Sequence, residues 1–309
     1  MLPPVKRLRF RVLLLSLLVA CGSRTGLLFE DDPSPVPFDA GPDVGRPDAS
    51  LDALPSLDVT PKPDVTLLDC PDASDTRIYV VTSQNELFSF YPPTLAFKFV
   101  GKLVCAGSGT ATPFSMAVDR KGIAHVVYTD GRLYRVSTAT AACAVTPYTS
   151  GGRPGFLTFG MGFSAETDGT DRLYVASNPQ TGNSNGLGSI DLAAYALRFV
   201  APFTPPIPRA ELTGTGDGRL FAYWPIGGGS FIAEVNKASG RVVAADRLPT
   251  GDTNDAFAFA FWGGSFWVFH SGGGPTDVTR FDPGPKTATT VTTMPSTIVG
   301  AGVSTCAPQ

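Results

Sequence analysis

From residue 77 onward, short aromatic and β-branched runs alternate with clusters of Gly, Pro, Asn and Asp. Runs of this kind bounded by turn residues predict β-strands. The strongest begin at Arg77, Ile123, Arg172, Arg219 and Ser265, a period of 46 to 49 residues. Each is followed by a second strand ending near Tyr91, Ser137, Asp191, Asn236 and Asp282. A third follows, at 97–104, 145–148, 197–203, 241–248 and 289–294. Ahead of the strong run in repeats two to five lies a strand of small residues, at 115–118, 160–163, 212–216 and 257–261.

Four strands per repeat with Gly-rich turns predict an all-β fold, a five-bladed β-propeller. Repeat one lacks its own small-residue strand, and the C-terminus supplies a spare, Ile298–Val303. Pairing it beside Ile78–Val81 closes the ring by joining the two ends of the repeat region. A pair of β-sandwiches does not explain why the period persists to the terminus.

Composition separates the chain into three parts. Residues 1–20 carry Lys6, Arg7, Arg9 and Arg11 and no acid, then the apolar run 12–20. Nine residues rise only about 13 Å as a helix, short of the roughly 30 Å hydrocarbon core. The stretch therefore reads as a signal peptide. Leu18-Val19-Ala20-Cys21 resembles the bacterial lipobox, which implies acylation of Cys21, and the absence of Asp after Cys21 implies the outer membrane. The expected partner at that end is the membrane itself, through the lipid.

Residues 21–75 form the second part. Between 30 and 75 lie eleven Asp and nine Pro with a net charge of −10. Proline removes donors and disfavours helix, and the aspartates repel one another, so the expectation is a disordered, extended spacer. The Asp residues lack the close Asp-x-Asp-x-Asp-Gly spacing that wraps a calcium ion. The third part, residues 76–309, is the propeller and carries only +2. That balance argues against a nucleic-acid partner.

Four cysteines remain besides Cys21, and an exported chain favours disulfides. Ring closure brings Cys306, after the terminal strand, near Cys70, before blade one, and predicts a Cys70–Cys306 bond. Cys105–Cys143 follows by elimination. With straight blades those two lie at opposite faces, so either Cys105 doubles back through 106–113 or both are free thiols. With no Cys-x-x-Cys and two histidines in all, no metal site is expected, and no cofactor.

Candidate chemistry falls at the channel mouth, where outer-to-inner connections meet the turns between second and third strands. Asn178, Gln180, Asn183, Asn185, Trp224, Asn254, Asp255, Trp262 and His270 are the candidate ligand contacts, by stacking and amide hydrogen bonds to an envelope glycan, peptide or protein. Tight turns need Gly, Asn and Ser in any case. The enzyme alternative, a carbohydrate-active hydrolase or lyase, rests on Glu211 and Asp255 as paired carboxylates. Gly214–Gly218 sits between strands as turn chemistry, and His125 alternates within a strand as a structural histidine.

The lipobox, the Asp/Pro spacer and stretches such as Thr112–Asp119, Ala210–Phe221, Ala258–Gly263 and Thr297–Cys306 together resemble predicted lipoproteins of myxobacteria and their relatives. The resemblance implies export and lipid anchoring and carries over no functional residue. The resulting expectation is a lipid-anchored, outer-membrane-associated binding or scaffolding module.

Overall fold

A computed structural model describes residues 51–61, 75–149, 153–249 and 255–309. Its core is five antiparallel four-stranded sheets. Blade one consists of β1 (Ile78–Thr82), β2 (Glu86–Tyr91), β3 (Ala96–Lys102) and the terminal β20 (Ile298–Val303); blade two of β4 (Pro113–Val118), β5 (Ile123–Tyr128), β6 (Leu133–Ser137) and β7 (Cys143–Val145). Blade three runs β8 (Phe159–Ala165), β9 (Asp171–Ser177), β10 (Leu187–Asp191) and β11 (Ala196–Ala201). Blade four runs β12 (Glu211–Gly214), β13 (Leu220–Ile226), β14 (Gly229–Val235) and β15 (Val242–Leu248), and blade five β16 (Ala256–Trp262), β17 (Ser265–Ser271), β18 (Thr276–Asp282) and β19 (Thr287–Met294). Neighbouring inner strands touch in the order β20, β4, β8, β12, β16 and back to β20, which makes the ring a five-bladed propeller.

The ring closes as expected. Ile78 pairs with Val303 and Val81 with Gly300, so the innermost strand of blade one comes from the opposite end of the chain. The innermost strands are built of small residues because their backbones nearly touch. A Cβ on Gly160 would lie 2.0 Å from the Ala210 carbonyl oxygen, and one on Gly300 would lie 2.8 Å from the Met116 nitrogen. Aromatic and branched side chains then fill the wedges between blades, with Phe90 against Trp267 and Phe269, and Phe221 against Phe261 and Phe266.

The Cys105–Cys143 disulfide is formed, with Cα atoms 5.1 Å apart. Straight blades would hold these residues at opposite faces, and sheet twist removes the conflict. Adjacent strands rotate by roughly 20–25°, so across four strands the outermost turns by about 60–75° and runs along the circumference. The end of one outer strand therefore meets the start of the next. The same relation recurs where Thr204, after β11, bridges in parallel to Arg241, before β15, and where Asp246 in β15 pairs with Lys286, before β19, at 3.1 Å. Outer strand β7 covers only 143–145, shorter than and displaced from the predicted 145–148. Beyond it the Thr146 hydroxyl donates to the Leu133 carbonyl at 2.6 Å.

After β20 the chain folds over the face opposite the mouth. Residues 304–307 are buried, the Gly263 N–H donates to the Pro308 carbonyl at 2.7 Å, and Thr305 donates to Asp171, which also pairs with Arg120. Cys306 is disulfide-bonded. Its expected partner Cys70, the leader and Cys21 lie outside the described residues.

Part of the expected spacer departs from the sequence reading. Residues 51–61 are packed on blades four and five. Leu57 is 6% exposed and shares a cluster with Phe221, Ile232, Leu248 and Phe281, while Leu51 and Leu54 pack at the edge of blade four's core. Polar groups hold the backbone. The Ala245 N–H donates to the Pro55 carbonyl, Leu57 N–H donates to Asp246, and Arg219 donates to the Asp58 and Val59 carbonyls at 2.7 and 3.3 Å. The reason is local: three leucines spaced three apart supply apolar surface that the Asp- and Pro-rich composition obscures. No helix of the described residues is long and apolar enough to cross a membrane.

Candidate functional site

The inner strands all begin at one face, and there the ring leaves a cavity of about 190 Å³. All five blades line it. Ser83 and Val299 come from blade one, Thr112, Pro113, Phe114 and Thr129 from blade two, and Gly160 and Asn178 from blade three. Blade four supplies Arg209, Ala210 and Glu211, and blade five Asp255, Ala256 and Phe257. The elements are those expected to form a mouth, namely the connections into inner strands and the turns that follow β1, β5 and β9.

Glu211, the first residue of β12, sits beside Gly160, whose missing Cβ leaves room for it. Its carboxylate Oε2 accepts a 2.6 Å hydrogen bond from the Ser115 hydroxyl on β4, and the carboxyl also accepts from the Met161 N–H on β8. One side chain thus ties together the inner strands of blades two, three and four. Burial pushes the carboxyl well above its ordinary 4.5, and the two hydrogen bonds only partly counter that. Burial therefore disfavours a charge in the deep part of the cavity.

Arg209 lies on the exposed rim, its guanidinium 5.6 Å from the centre of the Phe257 ring. Arg209 and Asn178 also line a second, open groove with Pro179, Gln180, Thr181, Pro208 and Pro225. The Asn178 amide donates to the Thr158 hydroxyl at 2.9 Å, which fixes its orientation at the junction of the two spaces.

Of the residues expected from sequence, Asn178, Asp255 and Glu211 meet in the cavity and Gln180 lies in the adjoining groove. Asn183 and Asn185 are exposed, and the Asn185 amide is spent on the Pro154 carbonyl at 2.9 Å. Trp224 is fully buried and stacks on Phe231 inside blade four. Trp262 ends β16, at the face opposite the cavity, where its indole N–H donates to the Thr76 carbonyl. His270 is buried in β17 with Nε2 3.0 Å from the Thr279 hydroxyl. Asn254 lies outside the described residues. Neither indole can therefore stack on a ligand in the cavity, because strand alternation sends one into the blade and strand length carries the other to the far face.

Sequence reasoning missed Arg209, Phe114 and Phe257. The available signal was positional. Arg209 occupies the connection immediately before β12, equivalent to Thr112 before β4 and Asp255 before β16. His125, away from the cavity, is buried against Phe163 with Nε2 3.6 Å from Asp119 Oδ2. Burial pushes the Asp119 carboxyl up, but His125 and the Ile123 and Lys121 N–H groups outweigh it and leave it below the ordinary range.

No protein-family model and no curated protein matches the chain. Among solved structures it is similar to a chain of the nidogen/laminin complex, at a TM-score of 0.48 and 8% identity over 74% of this chain and 98% of that one. It is also similar to TolB from Acinetobacter baumannii, at 0.43 and 17% over 74% of this chain and 55% of that one, and to the Dos1 propeller, at 0.37 and 10% over 74% and 56%. At these identities no residue role passes from any of them.

Proposed function

We propose that this protein is a lipid-anchored, extracytoplasmic binding module whose ligand site is the cavity at the mouth of the propeller. The observation that carries the reading is convergence: all five blades deliver side chains to one concave site, with apolar walls and a few polar groups at its rim. Export is supported by the Cys105–Cys143 disulfide, a bond that oxidising compartments favour. Lipid anchoring at the outer membrane is supported by Leu18-Val19-Ala20-Cys21.

A binding array of envelope glycans, peptidoglycan fragments and peptides tests the site, with Arg209→Ala and Asn178→Ala on any hit. Binding that both variants leave unchanged places the ligand elsewhere. Mass spectrometry of the mature N-terminus tests the anchor, and an unmodified Cys21 or a terminus at Gly22 overturns it.

The carbohydrate-active reading has one observation in its favour. Glu211, whose carboxyl burial pushes above its ordinary range, shares the cavity with Asp255, and glycoside cleavage pairs an acid of raised pKa with a second carboxyl group. Against it, Glu211 is only 5% exposed and its carboxyl is already hydrogen-bonded to neighbouring blades. Turnover of any glycan that Glu211→Gln abolishes without loss of binding would favour the enzyme.

A further inference from the structure

We propose that the cavity and the adjoining groove together hold the carboxyl-terminal end of a peptide, with the last side chain in the cavity and the terminal carboxylate on Arg209. The inference rests on the mouth being a ligand site and deepens it by naming the ligand class.

Size comes first. At about 190 Å³ the cavity is smaller than the roughly 300–1,000 Å³ that encloses a whole drug-sized ligand, so it takes one residue rather than an entire molecule. Its walls at Phe114, Phe257, Ala256 and Val299 suit an apolar side chain. Glu211 is buried and hydrogen-bonded to neighbouring blades, and its burial disfavours a deep charge that would oppose such a group.

Continuity gives the rest of the ligand its path. Arg209 and Asn178 line both spaces, so a chain whose end enters the cavity passes between them into the groove of Gln180 and Thr181. Amide side chains there match the donors and acceptors of a peptide backbone. Arg209 stands at the junction of the two spaces, and a guanidinium is the side chain whose fork of N–H groups matches a carboxylate in shape and charge. Asp255, on the blade-five side, repels that carboxylate and so sets its direction toward Arg209.

A glycan fits less well. Sugar rings need an open aromatic plate, and among the described residues neither Trp224, which is buried, nor Trp262, at the far face, supplies one, while the rings that do line the cavity are the half-buried Phe114 and Phe257, the latter with the Arg209 guanidinium 5.6 Å from its centre. A peptide entering by its amino end would have to seat an ammonium beside Arg209.

The test is fluorescence polarisation on the full chain with pentapeptides ending in Leu, Phe, Ser or Lys. Each is made with a free or amidated C-terminus and a free or acetylated N-terminus. Free acids ending in Leu or Phe are expected to bind. Amidation and Arg209→Ala should each weaken binding at least tenfold, Asp255→Asn should strengthen it about two- to fivefold, and N-acetylation should leave it unchanged. Arg209 is exposed, and an unaltered unfolding midpoint for Arg209→Ala confirms that any loss comes from the site. Equal binding of acid and amide, or loss on N-acetylation, overturns the carboxyl-terminal assignment while leaving the mouth a binding site. So does binding of glycans alone. Failure of every peptide and glycan overturns the binding-site reading as well.

Discussion

The Ser115 hydroxyl on blade two donates a 2.6 Å hydrogen bond to Glu211 on blade four, passing over blade three. With the Met161 N–H of β8 on the same carboxyl, it links the innermost strands of blades two, three and four. It also makes the protein's stability depend on the protonation of one carboxyl.

Burial raises the folded pKa of Glu211 above its ordinary 4.5, so in the window above 4.5 the unfolded chain binds fewer protons than the folded one. The contribution is whole below that window and is lost as pH rises through it, at up to about 1.4 kcal/mol per pH unit. Urea unfolding at successive pH values should give wild type a falling component in this range that Glu211→Gln lacks. Identical slopes for the two proteins would remove Glu211 from the account.

Gly160 has no space for a side chain: its Cβ would meet the Ala210 carbonyl oxygen at 2.0 Å, and backbone cannot step aside as a flexible side chain can. Gly160→Ala should therefore cost more than about 2 kcal/mol. Gly227→Ala, where nothing lies within 4 Å, should stay within about 1 kcal/mol of wild type. Chemical denaturation of the pair measures the contrast, and equal losses would mean that the inner strands tolerate separation.

Leu57 anchors residues 51–61 on blades four and five. Leu57→Asp buries a charge without a partner, and the segment escapes that cost by undocking rather than unfolding the ring. Amides of 54–60 should then exchange rapidly and proteases should cut within the segment, with a stability loss of about 1–2 kcal/mol. Hydrogen exchange followed by mass spectrometry reads both the release and the intact propeller. Protection unchanged in 54–60 would contradict the anchoring role.

The Cys105–Cys143 bond joins residues 38 apart in sequence. Constraining a loop of that length stabilises by about 4 kcal/mol on the chain-entropy account. Replacing both cysteines by serine should lower stability by that order and loosen the outer strands of blades one and two first. Denaturant midpoints of the double variant give the total. A loss below about 1 kcal/mol would show that the neighbouring outer strands hold their positions without the bond.

The blade count, the strand order within blades and the closure by Ile298–Val303 were legible in the chain. They follow from alternation, turn residues and a period of 46 to 49, all of which act over a few neighbouring residues. The mouth was legible at Asn178, Gln180, Glu211 and Asp255, because blade order alone says which connections meet there. It was not legible at Trp224 and Trp262, since residue type suggested stacking while strand position sent one indole inward and the other to the far face.

Local pattern by itself determined that this protein is a five-bladed ring closed by its own two ends. Only the tertiary structure decided what that ring brings together: Cys105 with Cys143, Arg219 with the Asp58 and Val59 carbonyls, and Glu211 with Ser115. The reason is that strand pattern specifies which residues alternate along a blade, whereas accumulated twist and the spacing of blades around the axis set distances between residues far apart in sequence. Those distances, rather than the strands themselves, make the cavity and fasten residues 51–61 to the ring.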